Sequence, residues 1–314
     1  VPPAPSGADK KPVPASQTRT VITSMLWMAA GGLSLATMNA IMRLMTQQLD
    51  SFQSQFLRYA FGLAVVLPII FRGPIGRLRP SSFKTQIWRG IAQTIALSLF
   101  FLALPHVPLA DMTAMMFITP MFVLLGAAVF LREKVSLARW LAACVGFVGV
   151  VIVLWPHMSS DAGAGAWSLV MLGATPFFAA TFLITKAMTR SDSNETLVTW
   201  LNISVALMTL PMALWVWQWP SANQWIAFAC CGLLGTIAHF CFTQAFSMVD
   251  ISSLQPVRFL DLIWSSALGL IIFGNAPAHT ALLGGGVIIA ATIVMSRYEA
   301  KRSPAKPSAT IAKK

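Results

Sequence analysis

Apolar runs of about 20 residues follow one another along the chain, divided by short polar breaks. Wound as an α-helix, a run of that length crosses the hydrocarbon core of a bilayer. The pattern predicts ten spans: Val21–Met42, Phe52–Phe71, Gln86–Leu104, Leu109–Leu131, Arg139–Trp155, Trp167–Met188, Leu197–Trp217, Gln224–Met248, Ile251–Phe273 and Thr280–Arg297. The thinnest breaks lie between spans 3 and 4, at Pro105, His106 and Pro108, and between spans 8 and 9, at Val249 and Asp250.

The pattern also repeats. Gly90 to Val107 laid on Gly232 to Val249 matches at Gly90/Gly232, Thr94/Thr236, Ile95/Ile237, Ala96/Ala238, Phe100/Phe242, Ala103/Ala245 and Val107/Val249. Upstream, Arg43/Lys186, Met45/Met188, Thr46/Thr189 and Pro68/Pro211 correspond at an offset one residue longer. The matched positions recur at helical spacing, so a helix face has been duplicated. A unit with an odd number of spans, duplicated in one membrane, puts its two copies upside down relative to each other. The predicted fold is all-α: ten transmembrane helices as two inverted five-helix repeats, residues 21–156 and 157–298, the layout of a secondary transporter.

Composition agrees with this picture. The 314 residues are 56% hydrophobic and 10% charged, against about 25% charged in soluble domains. Ten spans and short loops use up the length, leaving no room for a soluble catalytic domain. The net charge of +12 follows the positive-inside rule rather than a nucleic-acid groove. Of the basic residues, 19 fall on the tails, loops and flanks of one side, only Arg43 falls on the other, and Arg58 and Arg258 lie within spans. Both termini are therefore expected in the cytoplasm, with the chain in a bacterial inner membrane. The Pro-, Ala-, Ser- and Lys-rich residues 1–20 and the basic residues 299–314 read as disordered tails, and span 1 is not followed by a signal-peptide cleavage site. Cys144, Cys230, Cys231 and Cys241 all fall inside spans, as small packing residues without metal-ligand spacing.

Ionisable groups inside spans cost about 2.5–3.5 kcal/mol on insertion scales, so each needs a reason. Arg258 and Asp261 are three apart on span 9 and thus on one face. They lie roughly 10 Å and 15 Å from its start, near the midplane. They read either as a gate, proton-coupling or ligand-binding charge, or as a self-neutralising pair that fixes the helix. Arg58, one to two turns into span 2, reads as an anchor bonded to backbone carbonyls or as a functional charge. Asp111, at the start of span 4, suits a helix cap. His239 on span 8, with Gln244 one turn on, is a packing residue, a substrate contact or a proton site. Asn39, Gln93, Asn202 and Gln255 add uncharged polar groups that also serve as inter-helix bonds. Thr119-Pro120 falls in the middle of span 4, where proline kinks a helix and frees a carbonyl; Pro176 and Pro256 could do the same. Trp155, Trp167, Trp217, Trp219 and Trp225 sit at span ends as an interfacial belt, whereas Trp200 and Trp264 lie deeper, as candidate cavity walls.

No nucleotide-binding loop, zinc-protease helix, paired-carboxylate cluster or serine-hydrolase elbow is present in the sequence. The chain is not expected to be an enzyme, and no cofactor or metal is expected. ATP cannot power transport on this chain, which leaves gradients of ions or substrate.

The run LPHVPLADMTAMMFITPMFVLLGAAVFLREKVSLARW and, in the second half, WPSANQW, GLLGTIAHFCFTQAF and LQPVRFLDLIWSSALGLIIFG resemble the EamA branch of the drug/metabolite transporter superfamily. The resemblance runs from about Val21 to Arg297. One position departs: Glu133 keeps the acidic residue that the family often places after helix 4, while Asn275 stands at the equivalent place after Phe273-Gly274. The resemblance implies that helices 1–4 and 6–9 surround a central cavity, with helices 5 and 10 peripheral. It would be lined by Asn39, Arg58, Gln93, Thr119, Trp200, His239, Gln244, Arg258, Asp261 and Trp264. Expected partners are a small-molecule substrate, the lipid bilayer and protons as coupling ion, with no nucleic acid; the oligomeric state is left open. The preferred expectation is export of amino acids or related amphipathic compounds by alternating access. Alternatives are an uptake carrier or exchanger for a nucleoside-type, S-adenosylmethionine-like or vitamin substrate, a passive facilitator, or a membrane scaffold that transports nothing.

Overall fold

The computed structural model describes residues 15–71, 78–107, 118–132, 162–254 and 260–274, with single positions among 112–116, 137–152, 257–258 and 279–290. Among these residues every regular element is a helix. They are α1 (Ala15–Thr46), α2 (Ser51–Phe71), α3 (Phe83–Ala103), α4 (Thr119–Val129), α5 (Ala162–Met188), α6 (Asn194–Trp215), α7 (Ala222–Met248), α8 (Ile251–Leu254) and α9 (Leu260–Phe273). Five of them are long and apolar enough to cross a membrane. Apart from those single positions, spans 5 and 10 lie outside the description, as do the caps and kinks expected at Asp111, Gln255 and Pro256, Glu133 and Asn275, Trp155, and residues 1–14 and 299–314.

Helix starts are set by short polar side chains that take up backbone N–H groups no carbonyl reaches. Ser82 accepts from Thr85 N at 3.3 Å and Ser193 from Thr196 N at 3.2 Å. Ser221 accepts from Gln224 N at 3.4 Å while Gln224 Oε1 accepts from Ser221 N at 2.8 Å, a complete capping box. Both thin breaks of the sequence are real: α3 ends at Ala103, and α7 stops at Met248 before α8 begins.

Three expectations change. First, α1 begins at Ala15, inside the segment expected as tail. Second, Thr119-Pro120 does more than kink span 4: Met112, Met115 and Met116 before it are helical, and after a turn Thr119 and Pro120 open a new helix. Ile118 is a turn residue and Pro120 sits in the first turn of α4, where the missing N–H would have had no intrahelical partner. Third, span 9 is not one helix. It divides into α8 and α9, with a 3₁₀ step at Val257 and Arg258 between them. A proline at 256 removes one of the donors a continuous helix would use.

Polarity is arranged inside out. Trp215 is 89% exposed and Ile271 78%, while Gln53 is fully buried and Arg89 is 1% exposed. A bilayer rewards this arrangement, since apolar side chains lose nothing facing lipid and polar ones must satisfy each other inside.

Among the described helices the large interfaces all join one half to the other. α1 packs on α7 as α5 packs on α3; α2 on α7 as α6 on α3; α1 on α9 as α5 on α4; and α2 packs on α6, its own repeat mate. The hydrogen bonds show the inversion. The start of α2 meets the end of α6, where Gln53 bonds the Gln218 backbone in both directions. At the same end Ser51 donates to Phe101 O at the end of α3, and Gln224 at the start of α7 bonds Gln48. At the opposite end Trp200 donates to Leu78 O at 2.8 Å, and Asp192 accepts from Ser81 N at 2.8 Å. Repeat-equivalent helices therefore run antiparallel.

Candidate functional site

At the centre of the bundle, residues of both halves enclose a cavity of about 90 Å³. Its apolar wall includes Leu97, Phe100, Met112, Met116, Phe178, Phe182 and Phe242. Its polar groups are Asn39 of α1, Arg58 of α2, Gln93 of α3, His239 of α7, Arg258 just before α9, and Asp261 and Ser265 on it. Six of the ten candidates named from the sequence thus share one cavity.

Arg58 is 3% exposed and held between two helices. Its Nε donates to Met38 Sδ at 2.9 Å, and its guanidinium lies 4.0 Å from the centre of the Tyr59 ring. It also rests on α7 at Gly235, where a Cβ would come within 2.5 Å of Nη2. Among the described residues its contacts are thus a thioether, a ring face and a glycine, and not the backbone carbonyls of the anchor that was one of its two readings. Below it, Gln93 Nε2 donates to the Tyr59 hydroxyl at 3.4 Å, and that hydroxyl lies 3.5 Å from His239 Nε2. This chain links α3, α2 and α7; the imidazole tautomer decides which way the last proton points.

Arg258 and Asp261 do meet: Nε and Oδ2 are 3.6 Å apart. The break in span 9 changes the geometry of the pair. Asp261 lies in the first turn of α9, where the helix amino end favours a carboxylate, and Arg258 reaches it from the preceding step. Arg258 also stands 4.9 Å from the Phe182 ring. Asp261 Oδ1 presses on α1 at Gly32, where an added Cβ would push the carboxylate aside. Among the described residues, Arg58 Nη1, Arg258 Nη1 and Gln93 Oε1 are buried without a hydrogen-bond partner. Such atoms are costly unless a bound solute or water meets them.

The other four candidates do not line the cavity. Trp200 packs edge-on against Phe83 at 5.2 Å and donates to Leu78 O, so it belongs to the bundle end and not to a cavity wall. Gln244 is taken by Asn194, whose amide donates to it. Thr119, buried at the start of α4, and Trp264 on α9 keep a hydroxyl and an indole N–H unpaired among the described residues, but away from the lining.

Sequence reasoning passed over three buried groups. Tyr59 is fully buried beneath Arg58; as one of only two tyrosines in the chain it was a visible signal. Arg89, counted as an interfacial flank, is inside the bundle. Its guanidinium donates to Thr185 Oγ1 at 3.3 Å and to Leu197 O, tying α3 to α5 and α6. It lines a small recess that shares Gln93, Phe182, His239 and Phe242 with the central cavity. Lys186 is likewise inside, donating to the carbonyls of Phe246 and Val249 at 2.7 and 2.8 Å, where a cation complements the end of α7.

Comparison with known proteins gives this architecture a context. A riboflavin transporter of Vibrio cholerae is 30% identical over 283 residues, 88% of this chain and 94% of that protein. An S-adenosylmethionine uptake transporter of Rickettsia felis is 28% identical over 283 residues, 90% of this chain and 95% of that one. A pseudopaline exporter of Pseudomonas aeruginosa is 21% identical over 84% of this chain and 92% of its own length. One solved crystal structure superposes with a TM-score of 0.67 at 17% identity, covering 92% of this chain and 99% of that chain, a likeness of fold. The signature of the EamA-like transporter family matches twice, over residues 22–155 and again over 165–297. With both halves matched, the chain belongs to the EamA-like transporter family, membrane proteins of the drug/metabolite transporter superfamily.

Proposed function

We propose that the chain carries a small amphipathic metabolite with a planar ring across the inner membrane by alternating access through the central cavity. The observation that carries this reading is the cavity itself. Both halves build it, its wall is aromatic and thioether, and two arginines, one carboxylate, an imidazole and two amides converge on it. Thioether and aromatic walls suit a planar ring, while the polar cluster suits a hydrophilic tail.

The relatives support a ring-bearing substrate. Riboflavin and S-adenosylmethionine each join a fused nitrogen heterocycle to a polar chain, and proteins named for them match this chain over nearly its whole length. Amino-acid export, the expectation from sequence, gains less from them, although the likeness to a pseudopaline exporter keeps outward transport as a second reading.

At about 90 Å³ the cavity has room for roughly seven waters at about 10–15 Å³ each. Sites for organic ligands run to about 300–1,000 Å³. Substrate entry therefore needs the inverted halves to part, first at one end and then at the other. In this reading the chain has ten spans, the end bearing Asp192 faces the cytoplasm with both termini, and Asp261 takes up the coupling proton.

Counterflow in proteoliposomes tests the proposal. Vesicles preloaded with riboflavin, S-adenosylmethionine or tryptophan are given the labelled form of the same compound outside. Saturable exchange of a ring-bearing heterocycle is expected. Exchange of tryptophan with neither heterocycle moving would establish the amino-acid reading instead.

A further inference from the structure

We infer that the transported solute is an amphipathic anion whose acidic group is received by Arg58, an inference that rests on the central cavity being the transport site. The argument is one of charge balance. Among the described residues the cavity holds two guanidinium groups and one carboxylate. Asp261, on α9, is engaged by Arg258 at 3.6 Å. Among the described residues no carboxylate pairs with Arg58. Its contacts are a thioether, the face of a tyrosine ring and the surface of Gly235, and its Nη1 is buried without a partner.

A guanidinium presents five N–H donors and stays charged at any physiological pH. Thioether sulfur and a ring face are weak partners for it, so a buried cation in such a setting is held short of its full complement. A carboxylate or phosphate supplies both the missing charge and paired acceptor oxygens. The position is also built. Gly235 leaves a flat bed on α7 for the guanidinium, Tyr59 backs it, and Met38 of α1 fixes Nε. Because α1, α2 and α7 all contribute, Arg58 sits where movement of one half against the other would be felt. A permanently cationic solute such as a sulfonium compound would add to the excess positive charge instead of cancelling it. The cavity therefore sorts its family's ring-bearing substrates by charge, favouring the acid over the cation.

Two measurements test this. In the first, the purified full chain is heated in detergent with phenyl phosphate, benzyl alcohol, benzyltrimethylammonium or sodium chloride alone, and the unfolding midpoint is followed by tryptophan fluorescence. Phenyl phosphate is expected to raise the midpoint by several degrees and the alcohol and ammonium compounds to leave it in place. Arg58→Lys should keep the rise, Arg58→Gln should lose it, and Gly235→Ala, which displaces the guanidinium but keeps its charge, should weaken it. No rise with phenyl phosphate, an equal rise with the ammonium compound, a rise with chloride alone, or a rise that survives in Arg58→Gln overturns the inference.

The second is counterflow with flavin mononucleotide against riboflavin, two solutes that differ only by a phosphate. At least a tenfold preference for the phosphate ester is expected in the wild type, falling towards parity in Arg58→Gln. A wild-type preference for riboflavin overturns the inference. If neither flavin moves but phenyl phosphate stabilises the protein through Arg58, the ring-bearing substrate proposed above is wrong and the anion assignment stands.

Discussion

Gly232 lies where α2 and α7 cross, and the structure sets what an alanine there would cost. Its Cβ would come 2.5 Å from Phe61 Cβ and 2.7 Å from both Phe61 C and Gly62 N. Carbon atoms rest at about 3.5–4.0 Å, so the helices would have to part by roughly 1 Å. Two of the three obstructing atoms are backbone, and no rotamer change moves them aside. Overpacking of this kind costs about 1–3 kcal/mol, while alanine in a helix recovers about 0.5–1 kcal/mol over glycine. The net loss for Gly232→Ala is then about 1 kcal/mol, and at most about 2.5 kcal/mol. Its repeat mate Gly90 meets Ser204 Cβ at 2.6 Å, Ser204 Oγ at 3.2 Å and Met208 Cε at 3.5 Å, all side-chain atoms, so Gly90→Ala should lose less. Gly173 has only Leu99 Cδ1 near it, at 3.7 Å, and Gly173→Ala should stabilise by about 0.5–1 kcal/mol. Unfolding midpoints in one detergent, read by tryptophan fluorescence, should fall in the order Gly173→Ala, wild type, Gly90→Ala, Gly232→Ala. A Gly232→Ala protein as stable as Gly173→Ala would mean that α2 and α7 do not approach this closely.

The remaining predictions concern the charged groups. Arg258→Ala should destabilise by about 3–5 kcal/mol, because it strands Asp261, and Arg258→Ala with Asp261→Ala should be milder; equal losses in a thermal-unfolding comparison would show the pair is not coupled. With Asp261 as the proton carrier, Asp261→Asn abolishes accumulation driven by a pH gradient, and uptake that still follows the gradient in the variant rules that role out. Arg89→Met removes the tie from α3 to Thr185 and Leu197 and should open the Asp192 end. In a background without native cysteines, Gln93→Cys should then react faster with a membrane-impermeant thiol reagent added from that end, and an unchanged rate would show that Arg89 does not close it.

Much of the helix plan was legible along the chain because helix length, capping and apolar content are local. The stops at Ala103 and Met248 follow from prolines and polar pairs a few residues away. The duplication was legible too, and its physical meaning is now specific: Gly90 and Gly232 both serve crossings between halves, of α3 on α6 and of α2 on α7. Local reasoning failed where a helix is interrupted inside an apolar run. Hydropathy alone reads Ile251–Phe273 as continuous, whereas α9 starts only at Leu260, and that shift puts Asp261 at a helix amino end beside Arg258. It failed again at Arg89, whose place near a predicted span end resembles that of an interfacial anchor; only the packing of α5 and α6 around α3 shows it enclosed.

By itself, then, the sequence determined the solvent, the helical class, the duplication and a short list of polar groups too costly to lie in a membrane without purpose. These depend on neighbours within a few turns, or on comparing the chain with itself. The tertiary structure decided which of those groups meet. Asn39, Arg58, Gln93, His239, Arg258 and Asp261 are spread over more than 200 residues and share a cavity only because each half packs against the other. Trp200 and Gln244, equally polar in sequence, are satisfied by partners at the bundle's end. Charge balance is likewise a property of the assembled site: the pairing of Asp261 with Arg258, which among the described residues leaves Arg58 without a carboxylate, exists only once α1, α2, α7 and α9 surround the same space.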